Sequence, residues 1–119
     1  MTEKGIHMPN TKDEFAAGLG RLAKDPGTRN AYRAFSALHE AALADGALTR
    51  KVKEIMAVSI AIATSCEGCI AWHIGGAVKE GATREELTEA ISVAILMGGG
   101  PATYYGSHAL TYLDEEFPT

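Results

Sequence analysis

Two cysteines are the only thiols in these 119 residues. A secreted framework held by several disulfides is therefore excluded, and a closely spaced pair of this kind serves redox or metal chemistry more often than scaffolding. No apolar run approaches the roughly 20 residues of a membrane-spanning helix. The stretch Met1 to Pro9 holds no apolar core of signal-peptide length. We expect a cytoplasmic protein with no membrane partner. Positive charge is not in excess either. The formal net charge is −4, which argues against binding to nucleic acid. Internal repeats, low-complexity linkers and strand-type alternation are all missing.

What the chain does have is ordinary globular composition, 46 % hydrophobic and 22 % charged, so disorder is not expected. Its length suits one domain spanning residues 1–119. A domain of this size buries roughly two-thirds of its unfolded surface, enough for one core without staples.

The periodicity is helical throughout, which predicts an all-α fold of five to six helices. Asn10-Thr11 can start a helix to Lys24 with Phe15, Leu19, Leu22 and Ala23 on one face. Asp25-Pro26-Gly27 stops it. Thr28 can cap a second helix to about Ala44, with Ala31, Ala34, Phe35, Leu38 and Ala42 at core spacing. Thr49 can cap a third, about Arg50 to Thr64. From Met56 to Ala63 that helix is apolar all round except Ser59, which predicts burial on every side.

Cys66 opens a fourth helix to about Glu80, ended by Gly81 in a left-handed cap. Thr83-Arg84-Glu85-Glu86 is a capping box for a fifth. Leu87, Ala90, Ile91, Ala94 and Ile95 form its core stripe. Val93, Leu96 and Met97 fall outside that stripe and suggest a subunit interface, though a crowded core would look the same. Gly98-Gly99-Gly100-Pro101 interrupts the pattern before a last helix, about Ala102 to Glu115. This triple glycine follows a helix and lacks a Lys-Ser/Thr, so a phosphate loop is not expected.

The chemistry concentrates in Ser65-Cys66-Glu67-Gly68-Cys69-Ile70-Ala71-Trp72-His73. Placed at a helix N-terminus, Cys66 and Cys69 share one face at i and i+3. The partial positive charge and free N–H groups there favour a thiolate, the reactive form. His73 stands one turn beyond Cys69, where an imidazole can take a thiol proton. Glu67 is expected to point to solvent. Trp72 is expected to wall the site or to pack in the core. His7, His39 and His108 are read as structural, although His108 with Tyr104 and Tyr105 could line a pocket.

Glu54 extends the constellation. If the third and fourth helices form an antiparallel hairpin turning near Ser65, Glu54 lies ~17 Å up one and His73 ~11 Å up the other. With axes ~8–10 Å apart, the carboxylate can reach the imidazole. The spacing suggests an order in which Glu54 orients His73 and His73 serves Cys69.

Glu54, Cys66-x-x-Cys69 and His73 at these intervals resemble the alkylhydroperoxidase AhpD-like branch of the carboxymuconolactone decarboxylase superfamily. The resemblance implies an all-helical fold, homotrimers or homohexamers, and peroxide reduction coupled to thiol–disulfide exchange with an external dithiol. It implies that Cys69 attacks the hydroperoxide, that Cys66 resolves the sulfenic acid, and that Glu54 and His73 relay the proton. It implies no metal and no cofactor. Better-known members carry a second histidine between the cysteines, where this chain has Gly68. On the first nucleophile the two arguments differ, since the helix dipole favours Cys66 and the resemblance Cys69.

Two other readings remain. A decarboxylase acting on a small carboxylated lactone would use the same fold with the cysteines as bystanders. A zinc-binding or redox-sensing adaptor would use the thiols without turnover, but Cys66, Cys69 and His73 supply only three ligands.

Overall fold

The computed structural model describes residues 11–119. Asn10, His7 and the rest of the Met1 to Pro9 stretch lie outside the described residues. Within them the chain forms α1 (Thr11–Lys24), α2 (Arg29–Leu43), α3 (Arg50–Ala63), α4 (Glu67–Lys79), α5 (Arg84–Gly98) and α6 (Gly100–Glu116), and no strand. The expected all-α fold is present. None of these helices is long and apolar enough to cross a membrane.

Local sequence explains most of the boundaries. The Thr49 hydroxyl accepts the Val52 N–H at 3.2 Å and caps α3. Thr83 accepts from the Glu86 N–H at 3.0 Å while Glu86 accepts from the Thr83 N–H at 2.9 Å, so the expected capping box opens α5. Thr28 departs from expectation. Its hydroxyl donates to the Leu22 carbonyl at 2.7 Å, holding the α1–α2 turn rather than capping α2. The last helix starts at Gly100, two residues earlier than expected, because only Gly99 (φ 69°) leaves helical geometry and Pro101 fits a first turn.

Two helices end alike. After α4, Gly81 takes φ 93°, its N–H donates to Val78 O, and the Ala82 N–H reaches back to Ala77 O. After α3, Ser65 takes φ 61°, its N–H donates to Ile62 O, and the Cys66 N–H reaches Ala61 O at 3.0 Å. Both are Schellman endings. The second uses a serine in the left-handed region, which costs on the order of 1 kcal/mol. It also fixes Cys66 twice, as the end of one helix signal and the N-cap of the next.

The core lies among α3, α4, α5 and α6, where Val58, Ile62, Ile70, Ile74, Leu87 and Leu113 are fully buried. α3 packs against all three of the others and against α2, as a central helix should. It is not buried on every side, however. Val52, Met56 and Ile60 are exposed and face an apolar groove shared with Ala90 and Val93 of α5. Ser59 donates to the Ala90 carbonyl at 2.8 Å, tying the two helices. Val93, Leu96 and Met97 are likewise exposed, so they do not belong to a crowded core of this chain.

α1 packs on α4 and α2, forming a cover over the cysteine helix. The core face expected for α2 is exposed at Phe35 and Leu38; only Leu43 of that helix is buried. Tyr32, Phe35, Ser36, His39 and Glu40, at i, i+3, i+4, i+7 and i+8, form a stripe of α2 that borders a cavity.

Candidate redox site

Cys66 and Cys69 are joined by a disulfide with Cα atoms 5.3 Å apart. Cys66 is the N-cap of α4, and its sulfur accepts the backbone N–H of Cys69 at 3.3 Å. The expected placement at a helix N-terminus holds. A cap oxygen is replaced here by sulfur, which leaves one free N–H of the first turn pointing at a thiol position.

Cys69 sits one turn into the helix and lines a cavity of about 180 Å³ together with His73, Trp72 and the Tyr32–Glu40 stripe of α2. Phe15 and Leu19 of α1 close another side, and Phe15 meets Trp72 edge to face at 6.0 Å. Trp72 therefore walls the site. The backbone ends Cys66 at the helix cap and delivers Cys69 to the cavity, so the two thiols have unequal surroundings.

His73 Nδ1 lies 2.6 Å from Glu54 Oε1. The hairpin geometry reasoned from sequence thus brings α3 and α4 together at these two side chains. Glu54 is the single buried charged residue among those described, 3 % exposed. A carboxylate is tolerated there because the imidazole partners it. With Nδ1 engaged by the carboxylate, Nε2 is the ring nitrogen left to exchange a proton.

The packing that admits Glu54 depends on Gly76. A Cβ at that position would lie 2.5 Å from Glu54 Oε2. Beyond it opens a larger cleft of about 600 Å³, lined by Glu54, His39, Trp72 and the Glu40–Arg50 pair. Arg50 bonds Glu40 through both terminal nitrogens, at 3.2 and 3.4 Å. That guanidinium holds the Glu40 carboxyl below its ordinary range, and Glu40 raises Arg50 in return.

One expectation fails here. Glu67 does not point to solvent. Its carboxylate accepts from His108 Nδ1 at 2.8 Å and from the Tyr112 hydroxyl, so α6 grips the first turn of α4. His108 packs on Tyr104 at 4.4 Å and on Tyr105 at 5.9 Å, making one cluster of the three residues. His39, read as a structural side chain, also lines the cavity. It stacks on His73, with ring centroids 5.5 Å and planes 18° apart. The signal available in the sequence was the Tyr32, Phe35, Ser36, His39, Glu40 stripe, which competes with the alanine-rich face for the same helix.

Gly68 also acquires a structural account. A Cβ there would fall 2.8 Å from the Phe15 ring. The space next to Cys69 that a side chain between the cysteines would occupy is filled from α1. Among the described residues, no group of three or more His, Cys, Asp or Glu is arranged to hold a metal ion.

The chain as a whole resembles known proteins. Residues 29–112 match the Carboxymuconolactone decarboxylase family. The chain belongs to that family. A carboxymuconolactone decarboxylase family protein of Legionella pneumophila is 39 % identical, with a TM-score of 0.81 over 92 % of this chain and 95 % of the other. Another, from Thermotoga maritima, for which involvement in an antioxidative response has been suggested, is 27 % identical, with a TM-score of 0.76 over 89 % and 88 %. An uncharacterized protein of Cupriavidus necator is 43 % identical over 84 residues, covering 71 % of this chain and 74 % of its own length. Within the carboxymuconolactone decarboxylase family, the Cys66–Cys69 pair makes this an AhpD-like member with a fold compatible with a redox role.

Proposed function

We propose that this carboxymuconolactone decarboxylase family protein is a thiol-dependent peroxidase and disulfide oxidoreductase that cycles Cys66 and Cys69 between dithiol and disulfide. The observation that carries this reading is the His73–Glu54 hydrogen bond of 2.6 Å beside the cavity that Cys69 lines. A base held by a buried carboxylate, on the same cavity wall as a thiol, is what nucleophilic sulfur requires.

His73 takes the proton of the Cys69 thiol, and the thiolate attacks the terminal, hydrogen-bearing oxygen of a hydroperoxide. An S–O bond forms, the O–O bond breaks, and the alkoxide leaves as alcohol with the proton that Cys69 gave up. Cys66 then attacks the sulfenic sulfur, water departs, and the disulfide closes. An external dithiol reduces it by exchange, becoming a disulfide itself. Glu54 holds the His73 ring and offsets its charge when it is protonated.

Cys69 is assigned the attack because it faces the cavity, while Cys66 occupies the cap, where its sulfur is met by a backbone N–H. The aromatic and aliphatic walls suit an organic hydroperoxide. The exposed apolar faces of α3 and α5 support self-association, which we propose to be the homotrimer or homohexamer that the family resemblance implies.

The test is a thiol count with intact mass, before and after one equivalent of alkyl hydroperoxide. Loss of both thiols with a decrease of about 2 Da, one disulfide's worth of hydrogen, is the expected result. Cys69→Ser should abolish turnover. Peroxide turnover by that variant would overturn the assignment, and lactone decarboxylation surviving alkylation of both thiols would assign the chain to the other chemistry of its family.

A further inference from the structure

The steps above leave one buried ring nitrogen without a task. His39 Nε2 is buried and has no hydrogen-bond partner among the described residues. Its other nitrogen, Nδ1, stands 3.7 Å from Glu40 Oε2, too far for a hydrogen bond. Buried polar atoms are almost always bonded, so an exception calls for a reason. Here the place supplies it. The ring is not in the core among α3 to α6. It lies on the wall of the cavity that Cys69 and His73 share, and it also borders the cleft of Glu54. It stacks face to face on the imidazole that serves the thiol.

Resting on the peroxidase reading above, we propose that His39 is a further catalytic residue, whose Nε2–H donates to the oxygen that leaves when Cys69 attacks the hydroperoxide. Sulfur takes the terminal, hydrogen-bearing oxygen and is oxidised. The O–O bond electrons go to the other oxygen, which becomes an alkoxide before it gains the proton lost by the thiol. A donor placed on that oxygen stabilises the charge as it develops. The stack on His73 sets its height in the cavity. Histidine from α2 thus supplies a second imidazole to a site where Gly68 provides none, and where the Phe15 ring leaves no room for a side chain at position 68.

The test follows the single tryptophan, which lines the same cavity and reports the dithiol-to-disulfide change by fluorescence. Reduced wild type, His39→Phe and His39→Gln are mixed with an alkyl hydroperoxide under single-turnover conditions. Phenylalanine keeps the ring and the stack but has no donor; glutamine restores an N–H near the same point. The expected result is a loss of about a hundredfold in the rate of disulfide formation for His39→Phe, the effect of one missing donor at a developing oxyanion. His39→Gln should recover much of it. In a Cys66→Ser background, alkylation of Cys69 by iodoacetamide should proceed at the same rate with and without His39→Phe, because iodide leaves without a hydrogen-bond donor. His39→Ala serves the same comparison if the phenylalanine ring prevents folding.

An unchanged peroxide rate in folded His39→Phe overturns the proposal. So does an equal fall in the peroxide and alkylation rates, which would mean that His39 only supports His73. If wild type itself forms no disulfide with the hydroperoxide, the peroxidase reading fails, and this inference with it.

Discussion

The carboxylate of Glu54 occupies the space where a side chain on Gly76 would begin, with the missing Cβ only 2.5 Å from Oε2. A buried acid on α3 reaches His73 because α4 offers bare backbone one turn beyond that histidine. The absence of a methyl group is thus part of the site.

Gly76→Ala should therefore act on the relay more than on the fold. The added methyl forces Glu54 away from His73 or α4 away from α3, a strain of about 1–3 kcal/mol. Peroxide turnover should fall at least about tenfold, the lower end of what a misplaced reacting group costs. Glu54→Gln, which fits the same space, should lose turnover with a smaller loss of stability. Stopped-flow kinetics and urea unfolding on the two variants separate the effects.

Glu67 and Tyr112 define a second expectation. The hydroxyl of Tyr112, a buried residue of α6, donates to a carboxylate in the first turn of α4. Tyr112→Phe removes that bond and leaves Glu67 to His108 alone, which should lower stability by about 1.5–3 kcal/mol. The urea midpoint should drop with the slope unchanged. A slope change would mean that α6 has come loose altogether.

The capping box makes a pH prediction. Glu86 is held below the ordinary 4.5 of a glutamic acid, first by the Thr83 backbone N–H and then by Lys51. Its charged form is the one that the fold favours. The stabilisation is therefore complete above the unfolded value and disappears as pH falls through the lower folded value. Glu86→Gln should be less stable than wild type at neutral pH. The two thermal midpoints should converge as pH is lowered from about 4.5.

The exposed face of α5 predicts association. Leu96 and Met97 are 79 % and 77 % exposed, and Val93 edges the groove with Met56 and Ile60 of α3. A double change, Leu96→Glu with Met97→Glu, should reduce the mass seen by light scattering to that of a smaller assembly while leaving helix content intact. An unchanged mass would place the interface elsewhere.

The helix boundaries were legible in the sequence because their causes are local. Thr49, Thr83 and Gly81 act on groups three to five residues away, within the same turn of chain. The site was legible for a related reason. Glu54 and His73 lie on consecutive helices joined by a tight turn, so helix rise and hairpin geometry suffice to bring them together. Glu67 was misread because its partners, His108 and Tyr112, come from α6, 41 and 45 residues on. His39 was passed over because nothing on α2 names α4 as its neighbour.

What the sequence by itself determined, then, is what periodicity and short range set: an all-helical chain, most of its caps, a cysteine pair at a helix start and an imidazole one turn beyond it. The apolar surround of α3 declared that its surface needs cover, but the pattern is the same whether the cover comes from this chain or from another copy. The tertiary structure decided that α4, α5 and α6 cover only part of it, leaving Met56 and Ile60 exposed. It also decided what stands around Cys69. Side chains from α1 and α2 reach that sulfur only through long-range packing, and burial against a distant helix leaves no periodic mark on either segment. For that reason the Cys-x-x-Cys could be read in one dimension, while Phe15 over Gly68 and His39 over His73 could be seen only in three.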